Sequence, residues 1–438
     1  MYRSIQFFRK EPVFEKLAEL CISQKFPLKK IRFLQQQKLK KVLIHAYENT
    51  KFYRDRFDSV HFNPHHFSNI EELEKIPYLT KSDISNHFNQ IKVTHYQKPF
   101  SHEFTSGSTG NPMRFCVDRN FSSSFRAEMY REHHWAKLDI GDREVRFFGQ
   151  PSDFKDSTKE KLKDFLMNRK RFSVFDLKDE ALLKYWKKIH SYQPDYIYGY
   201  TSSIARFSEY ILKNNLTISI KLKAIITTSE ILHDEQRQLI EEVWNTKIYN
   251  EYGSSECGII ASECEQGSLH LNAENNFVEF QKKDRRAISD ENSEIIITNL
   301  NNYVMPFIRY QIGDSGSYSD QLCKCGKELP LMNVLEGRSN SMVITPDEKV
   351  LSALIFYYIF KNILSNNFGA PQFRAYQKKR NHIHFQLTHE YKHSLSAESI
   401  ILDRCRKNFG SEMNITFEYV PQIHPLASGK LVHFISEI

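Results

Sequence analysis

Hydroxyl side chains and glycines are concentrated in one short stretch, residues 105–113, which reads Thr-Ser-Gly-Ser-Thr-Gly-Asn-Pro-Met. Gly107 and Gly110 permit positive φ angles and lack a β-carbon, so successive backbone N–H groups can converge on phosphate oxygens. Further donors come from hydroxyl groups, those of Thr105, Ser106, Ser108 and Thr109. A Walker loop would instead need Gly-Lys-Ser/Thr at the start of a helix. The stretch predicts a phosphate-binding turn, with an ordinary Ser/Gly surface loop as the alternative.

The elements around this turn must position it. Alternating side chains predict strands at residues 102–105 and 114–118. From residue 140 to 255, short apolar strands alternate with helical segments, which is typical of a parallel sheet with crossover helices. Ligands of such sheets bind beyond the carboxyl ends of the strands. We therefore expect the polar strand-end turns to converge on one site; they lie at residues 199–201, 228–230 and 252–253.

The remaining segments complete an α/β fold. Helical periodicity covers residues 14–58, and residues 269–335 carry short strands without a long helix between them. The last part of the chain mixes strands and helix in an α+β pattern. We predict a large N-terminal domain, residues 1–337, with parallel sheets and a β-rich subdomain. A small, mobile α+β domain is predicted at residues 338–438.

Composition restricts the function classes. The 438 residues are 40% hydrophobic and 26% charged, and the net charge is +8. These values favour a globular protein that binds polyanionic small ligands, acidic partners or a membrane surface. No zinc-finger spacing, RNA-binding aromatic signature or basic heptad accompanies the charge, so nucleic acid is not expected as a partner.

Targeting signals and disulfides are not expected either. Residues 1–10 lack an apolar core followed by small residues, so no secretory signal is predicted and the expected location is the cytoplasm. The longest apolar run, residues 350–360, is shorter than the roughly 20 residues that span a bilayer, and we predict a buried helix there. The seven cysteines are odd in number, and we expect reduced thiols.

Several motifs in a fixed order resemble the adenylate-forming superfamily, and within it the branch of phenylacetate-CoA-ligase-like and capsule-biosynthesis CapK-like proteins. Each motif alone is weak, but their order along most of the chain is specific. The motifs lie at residues 52–54, 76–81, 105–112, 135 with 141–142, 194–200, 252–256, 309–314, 336–338 and 428–430.

This resemblance implies that ATP and a carboxylic acid form an acyl-adenylate with release of pyrophosphate, followed by transfer to a thiol such as CoA. It implies that Glu256 helps to hold Mg²⁺ and that Tyr252 lines the adenine site. Asp314 would accept the ribose hydroxyls, and Arg338 would contact ribose or phosphate. Lys430 would reach the α-phosphate and the substrate carboxylate. Glu256, Arg338 and Lys430 are therefore the predicted catalytic residues.

Two further sets of residues follow from the strand-end turns and the matching motifs. The first set is expected to bind the nucleotide together with the phosphate loop: Ser229, Glu230, Gly253, Ser254 and Ser255. The second set is expected to line the acid pocket: His134, Trp135, Tyr198, Gly199, Tyr200 and Thr201.

The chain also departs from the superfamily pattern. Met113 and Arg114 stand where many members have lysine after the loop, and Asn340 and Ser341 stand where relatives have an Asp pair at the domain hinge. The second half-reaction is therefore less firmly predicted than adenylation. Acyl transfer to an amine, a sugar or a carrier protein in surface-polysaccharide biosynthesis is one alternative. A nucleotide-binding protein without turnover is another.

Cysteine and histidine residues bracket the β-rich region. Three thiolates and one imidazole make a tetrahedral zinc set, and Cys-x-Cys-Gly forms a tight knuckle. The candidate ligands of a structural zinc ion are Cys264, His270, Cys323 and Cys325, with Cys257 as a possible substitute. The alternative is a group of reduced, partly buried thiols.

Overall fold

The structure is a computed structural model. It describes residues 11–438, apart from 106–112, 149–160, 175–176, 178, 284, 337–341, 348–349, 353, 361–372, 389–396 and 425–431. Within the described part, no helix combines the length and apolar character that a membrane crossing needs.

Helices form the first part of the described chain, as predicted. They are α1 (Val13–Ser23), α2 (Leu28–Asn49), α3 (Lys51–Ser59), 3₁₀ turns at Pro64–His66 and Ile70–Lys75, α4 (Lys81–Asn86) and α5 (Phe88–Ile91). Thr80 caps the N-terminus of α4, because its hydroxyl accepts a hydrogen bond from the backbone N–H of Asp83 (3.1 Å).

A twelve-stranded mixed sheet is the centre of the molecule, with strand order β11-β10-β12-β13-β14-β9-β8-β7-β6-β5-β3-β4. Its parallel half consists of β3 (Glu144–Phe148), β4 (Arg169–Ser173), β5 (Tyr196–Tyr200), β6 (Ala224–Thr228) and β7 (Ile248–Ser254). The helices of this half are α6 (Arg119–Trp135), α7 (Asp179–Tyr192), α8 (Thr201–Lys213) and α9 (Asp234–Trp244). The predicted strand–helix alternation is confirmed, and β4 is an additional strand at the edge.

The antiparallel half confirms the predicted β-rich region. Its strands are β8 (Gly258–Glu263), β9 (Leu269–Leu271), β10 (Asn276–Lys282), β11 (Arg285–Arg286), β12 (Ser293–Asn299), β13 (Tyr310–Ser319) and β14 (Leu331–Glu336). Separately, β1 (Phe100–Phe104) and β2 (Arg114–Asp118) form an antiparallel hairpin. Together with the sheet's parallel half, these elements give the predicted α/β class.

The C-terminal region is α+β, as predicted, and has its own apolar core. Its elements are β15 (Met342–Ile344), β16 (Val350–Ser352), α10 (Leu354–Phe360), β17 (Phe373–Lys379), β18 (His382–Thr388), α11 (Ala397–Phe409), β19 (Asn414–Val420) and β20 (Phe434–Ser436). The apolar run at 350–360 is not one helix, because its first residues pair with β15. The domain boundary at residue 337 stays a prediction, since 337–341 lie outside the described residues.

Candidate active site

The β1–β2 hairpin holds the ends of the predicted phosphate loop. The Thr105 N–H donates to the Met113 carbonyl (2.9 Å), and the Met113 N–H donates to the Thr105 hydroxyl (2.9 Å). These two bonds close the base of the turn and confirm the strands predicted on either side. Ser106, Gly107, Ser108, Thr109 and Gly110 lie outside the described residues.

A cavity of about 1060 Å³ lies where the hairpin, helix α6 and the carboxyl ends of β5, β6 and β7 meet. This is the position that the parallel-sheet rule predicts for a ligand. Six residues predicted from the sequence to bind nucleotide or metal line the cavity: Thr105, Ser229, Gly253, Ser254, Ser255 and Glu256. The structure thus brings together residues that are up to 151 positions apart in the sequence.

The backbone around these residues is tightly constrained. Ser229 follows β6 with a φ of 70°, a left-handed conformation that a non-glycine residue rarely adopts outside turns and functional sites. A β-carbon on Gly253 would stand 2.7 Å from the Gly258 carbonyl oxygen. Glycine at 253 is therefore required where β7 and β8 approach most closely.

Glu256 is buried, with 6% of its surface exposed, at the turn that follows β7. The Tyr310 hydroxyl donates to Glu256 Oε1 (3.0 Å), which fixes the carboxylate at the cavity wall. A carboxylate held in this way is a hard oxygen ligand of the kind that Mg²⁺ prefers. Among the described residues, Glu256 is therefore the candidate for the predicted Mg²⁺ ligand.

The side chains of Tyr252 and Asp314 are in contact. The Tyr252 hydroxyl donates to Asp314 Oδ2 (2.9 Å), joining β7 to β13. The residues predicted to contact adenine and ribose thus lie beside each other. Arg338 and Lys430 lie outside the described residues.

Polar groups also cover the part of the cavity floor nearest β3 and β5. The Glu251 carboxylate accepts hydrogen bonds from the Tyr198 hydroxyl (3.1 Å) and the Thr228 hydroxyl (2.6 Å). Burial raises the pKa of Glu251. Tyr198 was predicted from the sequence, whereas Glu251 was missed, although it directly precedes the Tyr252-Gly253 motif.

An ion pair lies beside this group. Arg146 Nε donates to Glu144 Oε1, and the guanidinium carbon lies 4.4 Å from the centre of the Tyr198 ring. Burial alone would raise the pKa of Glu144, but the neighbouring Arg146 and Arg169 lower it to about 2. Sequence reasoning missed Arg146, since a single arginine within a strand has no distinctive spacing.

The other residues predicted to line the acid pocket have packing roles in the structure. A β-carbon on Gly199 would stand 2.6 Å from the Phe147 carbonyl oxygen, so this glycine permits close contact of β3 and β5. Tyr200 packs on Phe148 (ring centroids 4.6 Å apart), and Thr201 is the fully buried first residue of α8.

Glu230, predicted to bind nucleotide, caps a helix instead. Its carboxylate accepts from the Ser202 N–H (2.7 Å) and the Ser202 hydroxyl (3.0 Å) at the start of α8. An acidic group there is stabilised by the helix dipole. Glu230 is not among the residues that line the large cavity.

His134 and Trp135 do not line the large cavity. They border a second cavity of about 400 Å³ together with Cys21, Cys325 and Lys327. Both residues lie at the end of α6, whereas the residues of α6 that border the large cavity are 119–130. Binding of the acid by this pair stays a prediction.

The four predicted zinc ligands form one cluster. Their candidate ligand atoms all lie within 4.8 Å of one another. Cys264 Sγ is 3.6 Å from Cys323 Sγ, and Cys325 Sγ is 3.3 Å from His270 Nε2. Tetrahedral zinc with Zn–S bonds of about 2.3 Å separates its sulfur ligands by about 3.8 Å, so the cluster fits the ion.

The orientation of His270 also suits a metal ligand. Its Nδ1 donates to the Leu329 carbonyl (3.0 Å), which leaves Nε2 facing the thiols. Cys257, the predicted substitute ligand, is buried in the main apolar core and is not part of the cluster.

Comparisons with known proteins agree with this architecture. The CapK C-terminal domain family matches residues 343–437. Protein CapK of Staphylococcus aureus is 24% identical over 431 residues, covering 92% of this chain and 89% of that protein. A phenylacetate-coenzyme A ligase of Thermus thermophilus is 24% identical over 337 residues, covering 73% of this chain and 72% of that enzyme.

A solved structure gives the same result for the fold. The 2-hydroxyisobutyryl-CoA ligase in the postadenylation state, in complex with R3-HIB-AMP, superposes with a TM-score of 0.73 at 16% identity. The match covers 94% of this chain and 91% of that ligase. The resemblance drawn from the motifs is thereby confirmed: the chain is similar to CapK and to phenylacetate-CoA ligases, and it has the fold of the adenylate-forming CoA ligases.

Proposed function

We propose that this chain is an adenylate-forming ligase that activates a carboxylic acid with ATP. One observation carries the proposal: the closed base of the phosphate loop, Glu256 and a polar-floored cavity meet at the carboxyl ends of three parallel strands. The cavity has room for both a nucleotide and an acid. The named relatives, which include phenylacetate-CoA ligases, support the same class of reaction.

The chemistry assigns a role to each part of this site. A carboxylate oxygen attacks the α-phosphorus of ATP, a new oxygen–phosphorus bond forms, and pyrophosphate leaves. Negative charge is spread over the phosphate oxygens in the transition state, so cations and aligned donors stabilise it most. The loop at 105–110 would bind the β- and γ-phosphates, and Glu256 would hold Mg²⁺. Lys430 and Arg338 would supply cationic charge.

The nucleoside would be bound by the neighbouring residues. The Asp314 carboxylate can accept both ribose hydroxyls, because each of its two oxygens can accept more than one hydrogen bond. The Tyr252 ring would then lie against adenine. Ser229, Gly253, Ser254 and Ser255 would form the wall along the phosphates, since all four line the cavity.

The acceptor of the acyl group is a second proposal. Transfer to a thiol such as CoA is supported by the name of the phenylacetate-coenzyme A ligase relative, whereas the resemblance to capsule-biosynthesis CapK-like proteins suggests an amine, sugar or carrier-protein acceptor. The two are separated by measuring acid-dependent AMP release with and without CoA. A rise on addition of CoA supports the thiol, and an unchanged rate supports another acceptor.

Isotope exchange tests the adenylation step. The full chain, with saturating ATP and Mg²⁺, is expected to exchange labelled pyrophosphate into ATP when the correct acid is added. Glu256→Gln should lower this exchange about 100-fold, because it removes the carboxylate charge at the metal position. Tyr310→Phe is the matched control, since it removes the hydrogen bond and keeps the carboxylate. Tight ATP binding without exchange on any acid would favour a nucleotide-binding protein without turnover.

We further propose that Cys264, His270, Cys323 and Cys325 hold a structural zinc ion. The ion would join the loop after β8 to the segment between β13 and β14, both within the antiparallel half of the large sheet. Elemental analysis of protein purified without chelator should give one zinc per chain. Cys323→Ser should lose it, whereas Cys405→Ser, in the C-terminal core, should retain it. Wild-type protein without stoichiometric zinc would remove this proposal.

A further inference from the structure

The two faces of the parallel half-sheet differ sharply in polarity. Side chains alternate between the faces of a strand, so every second residue shares a face. One face is apolar and packs on the crossover helices; it carries Val145, Phe147, Ile197, Ile225 and Ile248. The opposite face carries Ala224 and Ile226 together with charged and hydroxyl-bearing side chains, which are Glu144, Arg146, Tyr196, Tyr198, Thr228 and Glu251.

Burying such groups is costly, and a sheet does not need them for stability. An unpaired buried charge or polar group costs several kcal/mol, and even a paired one is often no more stabilising than apolar packing. The apolar face of the same strands shows that this sheet packs well on aliphatic side chains. The polar face therefore requires another reason.

The position of the polar face explains why these polar side chains are present. Arg146, Tyr198, Thr228 and Glu251 all line the large cavity, on its floor beyond the residues assigned to the nucleotide. Helix α6 also lines the cavity, where Phe125, Met129 and the ring of Tyr130 lie alongside the polar Arg119, Ser122 and Arg126. An acyl group in this part of the cavity would contact the apolar side chains of α6 and the hydrogen-bonding groups of the strands.

Arg146 is the group on this face that restricts the chemistry of a ligand most. A guanidinium has five N–H donors and no acceptor, and Nε–H is directed to Glu144. The guanidinium carbon lies over the rings of Tyr198 (4.4 Å from the ring centre) and Phe148 (5.3 Å), which restrict its position. A hydrocarbon acyl group offers no acceptor to such a residue, whereas a hydroxyl or carboxylate oxygen does.

Building on the function proposed above, we propose that the substrate acid carries a second hydrogen-bonding oxygen on its acyl group, as a hydroxyl or a second carboxylate, and that Arg146 recognises it. The Tyr198–Glu251–Thr228 group lies beside Arg146 and provides further hydrogen-bonding partners. Unsubstituted aliphatic and aryl acids are poor substrates, because their acyl groups offer no hydrogen-bonding oxygen to the polar side chains of this face.

Matched pairs of acids test this assignment. Pyrophosphate exchange by the wild-type chain is measured with butyrate against 3-hydroxybutyrate, hexanoate against adipate, and 3-phenylpropionate against 3-(4-hydroxyphenyl)propionate. In at least one pair the oxygen-bearing acid is expected to exchange at least about tenfold faster. Arg146→Met should reduce that ratio toward one while leaving ATP binding intact. Arg143→Met is the matched control, since Arg143 pairs with Asp195 just before β3, outside the cavity.

The outcomes separate this inference from the function on which it rests. A wild-type preference for the oxygen-bearing acid that is lost in Arg146→Met and kept in Arg143→Met supports the inference. Exchange that is equal within every pair, or faster with the apolar member, overturns it and leaves adenylation standing. If no acid supports pyrophosphate exchange, the proposed function is contradicted, and so is the inference about the acyl group. The wild-type comparison decides the matter even if Arg146→Met does not fold.

Discussion

Individual buried carboxyl groups differ in protonation because their surroundings differ. Glu144 and Glu128 are both almost fully buried, yet arginine neighbours lower the pKa of Glu144 to about 2, while burial raises the pKa of Glu128 to about 8. For Glu128, the hydrogen bond from Asn275 Nδ2 (2.6 Å) offsets the cost of burial only in part. Glu128 is therefore mostly protonated at neutral pH.

This pKa has a consequence for stability. In the unfolded chain Glu128 ionises near its ordinary pKa of 4.5, whereas in the folded protein it ionises near 8. The unfolded state therefore loses its proton first, and stability falls as the pH rises from about 4.5 to about 8. Glu128→Gln imitates the protonated acid, so urea unfolding should show a smaller fall between pH 5 and pH 8. Glu15→Gln, at an exposed position, should behave like wild type; a Glu128→Gln fall as large as the wild-type one would contradict the assignment.

Among the strands of the parallel half-sheet, some were predicted from the sequence and one was not. The apolar strands β5 and β6 were predicted from hydrophobicity, because their burial on both sides leaves a continuous apolar or aromatic pattern. The edge strand β4 was missed, because it begins Arg-Lys-Arg and resembles a solvated basic segment. Its charges are balanced by Glu144, which the fold brings near, and by the nearby Asp164: Arg169 Nε lies 2.9 Å from Glu144, and Arg171 Nε lies 3.0 Å from Asp164.

The site residues divide in the same way: those with a local sequence pattern were predicted, and those that depend on contacts between strands were not. Short motifs identified Glu256, Tyr252 and Asp314, whose roles depend on local turns and strand ends. Arg146 and Glu251 were missed, because their place in the cavity depends on the register between neighbouring strands. A two-residue periodicity within one strand does not show what lies beside it in the sheet.

One arginine links the N-terminal elements to the antiparallel half of the sheet. Arg309 is 3% exposed and makes a bidentate pair with Glu279 (2.9 and 3.1 Å). It also donates to the carbonyls of Leu73 (2.9 Å) and Ile76 (2.6 Å), which end the second 3₁₀ turn. Four hydrogen bonds from one side chain thus join three segments that are distant in sequence.

Replacement of this residue should be strongly destabilising. Arg309→Met removes one partner of a buried ion pair and leaves Glu279 without its counter-charge, which costs about 3–5 kcal/mol of unfolding free energy. Denaturant unfolding measures the effect. Arg285→Met, which breaks an exposed pair with Glu291, is the control and should change stability little. Equal effects of the two substitutions would show that the Arg309 contacts are not structural.

At the scale of the whole molecule, the proposed reaction requires two regions to cooperate. The cavity belongs to the region before residue 337, whereas Lys430 belongs to the C-terminal region with its separate apolar core. A lysine on a flexible stem can reach between two anions that react in line. The C-terminal region would therefore contribute charge to a site that is otherwise built by the large sheet.

Lys430→Ala tests this cooperation. The variant should bind ATP like wild type but lose pyrophosphate exchange by about 100-fold or more, since it lacks the cation at the α-phosphate. Lys407→Ala, on the last turn of α11, is the control for removal of a positive charge from the same region. Parent-rate exchange by Lys430→Ala would exclude this lysine from the reaction.

The central claim is that the chain joins a carboxylic acid to AMP. Mass spectrometry of the products tests it most directly, with the full chain, ATP, Mg²⁺, a pool of oxygen-bearing acids and pyrophosphatase to remove pyrophosphate. The account predicts AMP-linked products whose masses equal acid plus AMP minus water, absent when ATP or the acids are omitted. Formation of ADP in place of an acyl-adenylate, or ATP that stays unconsumed with every acid, would contradict it.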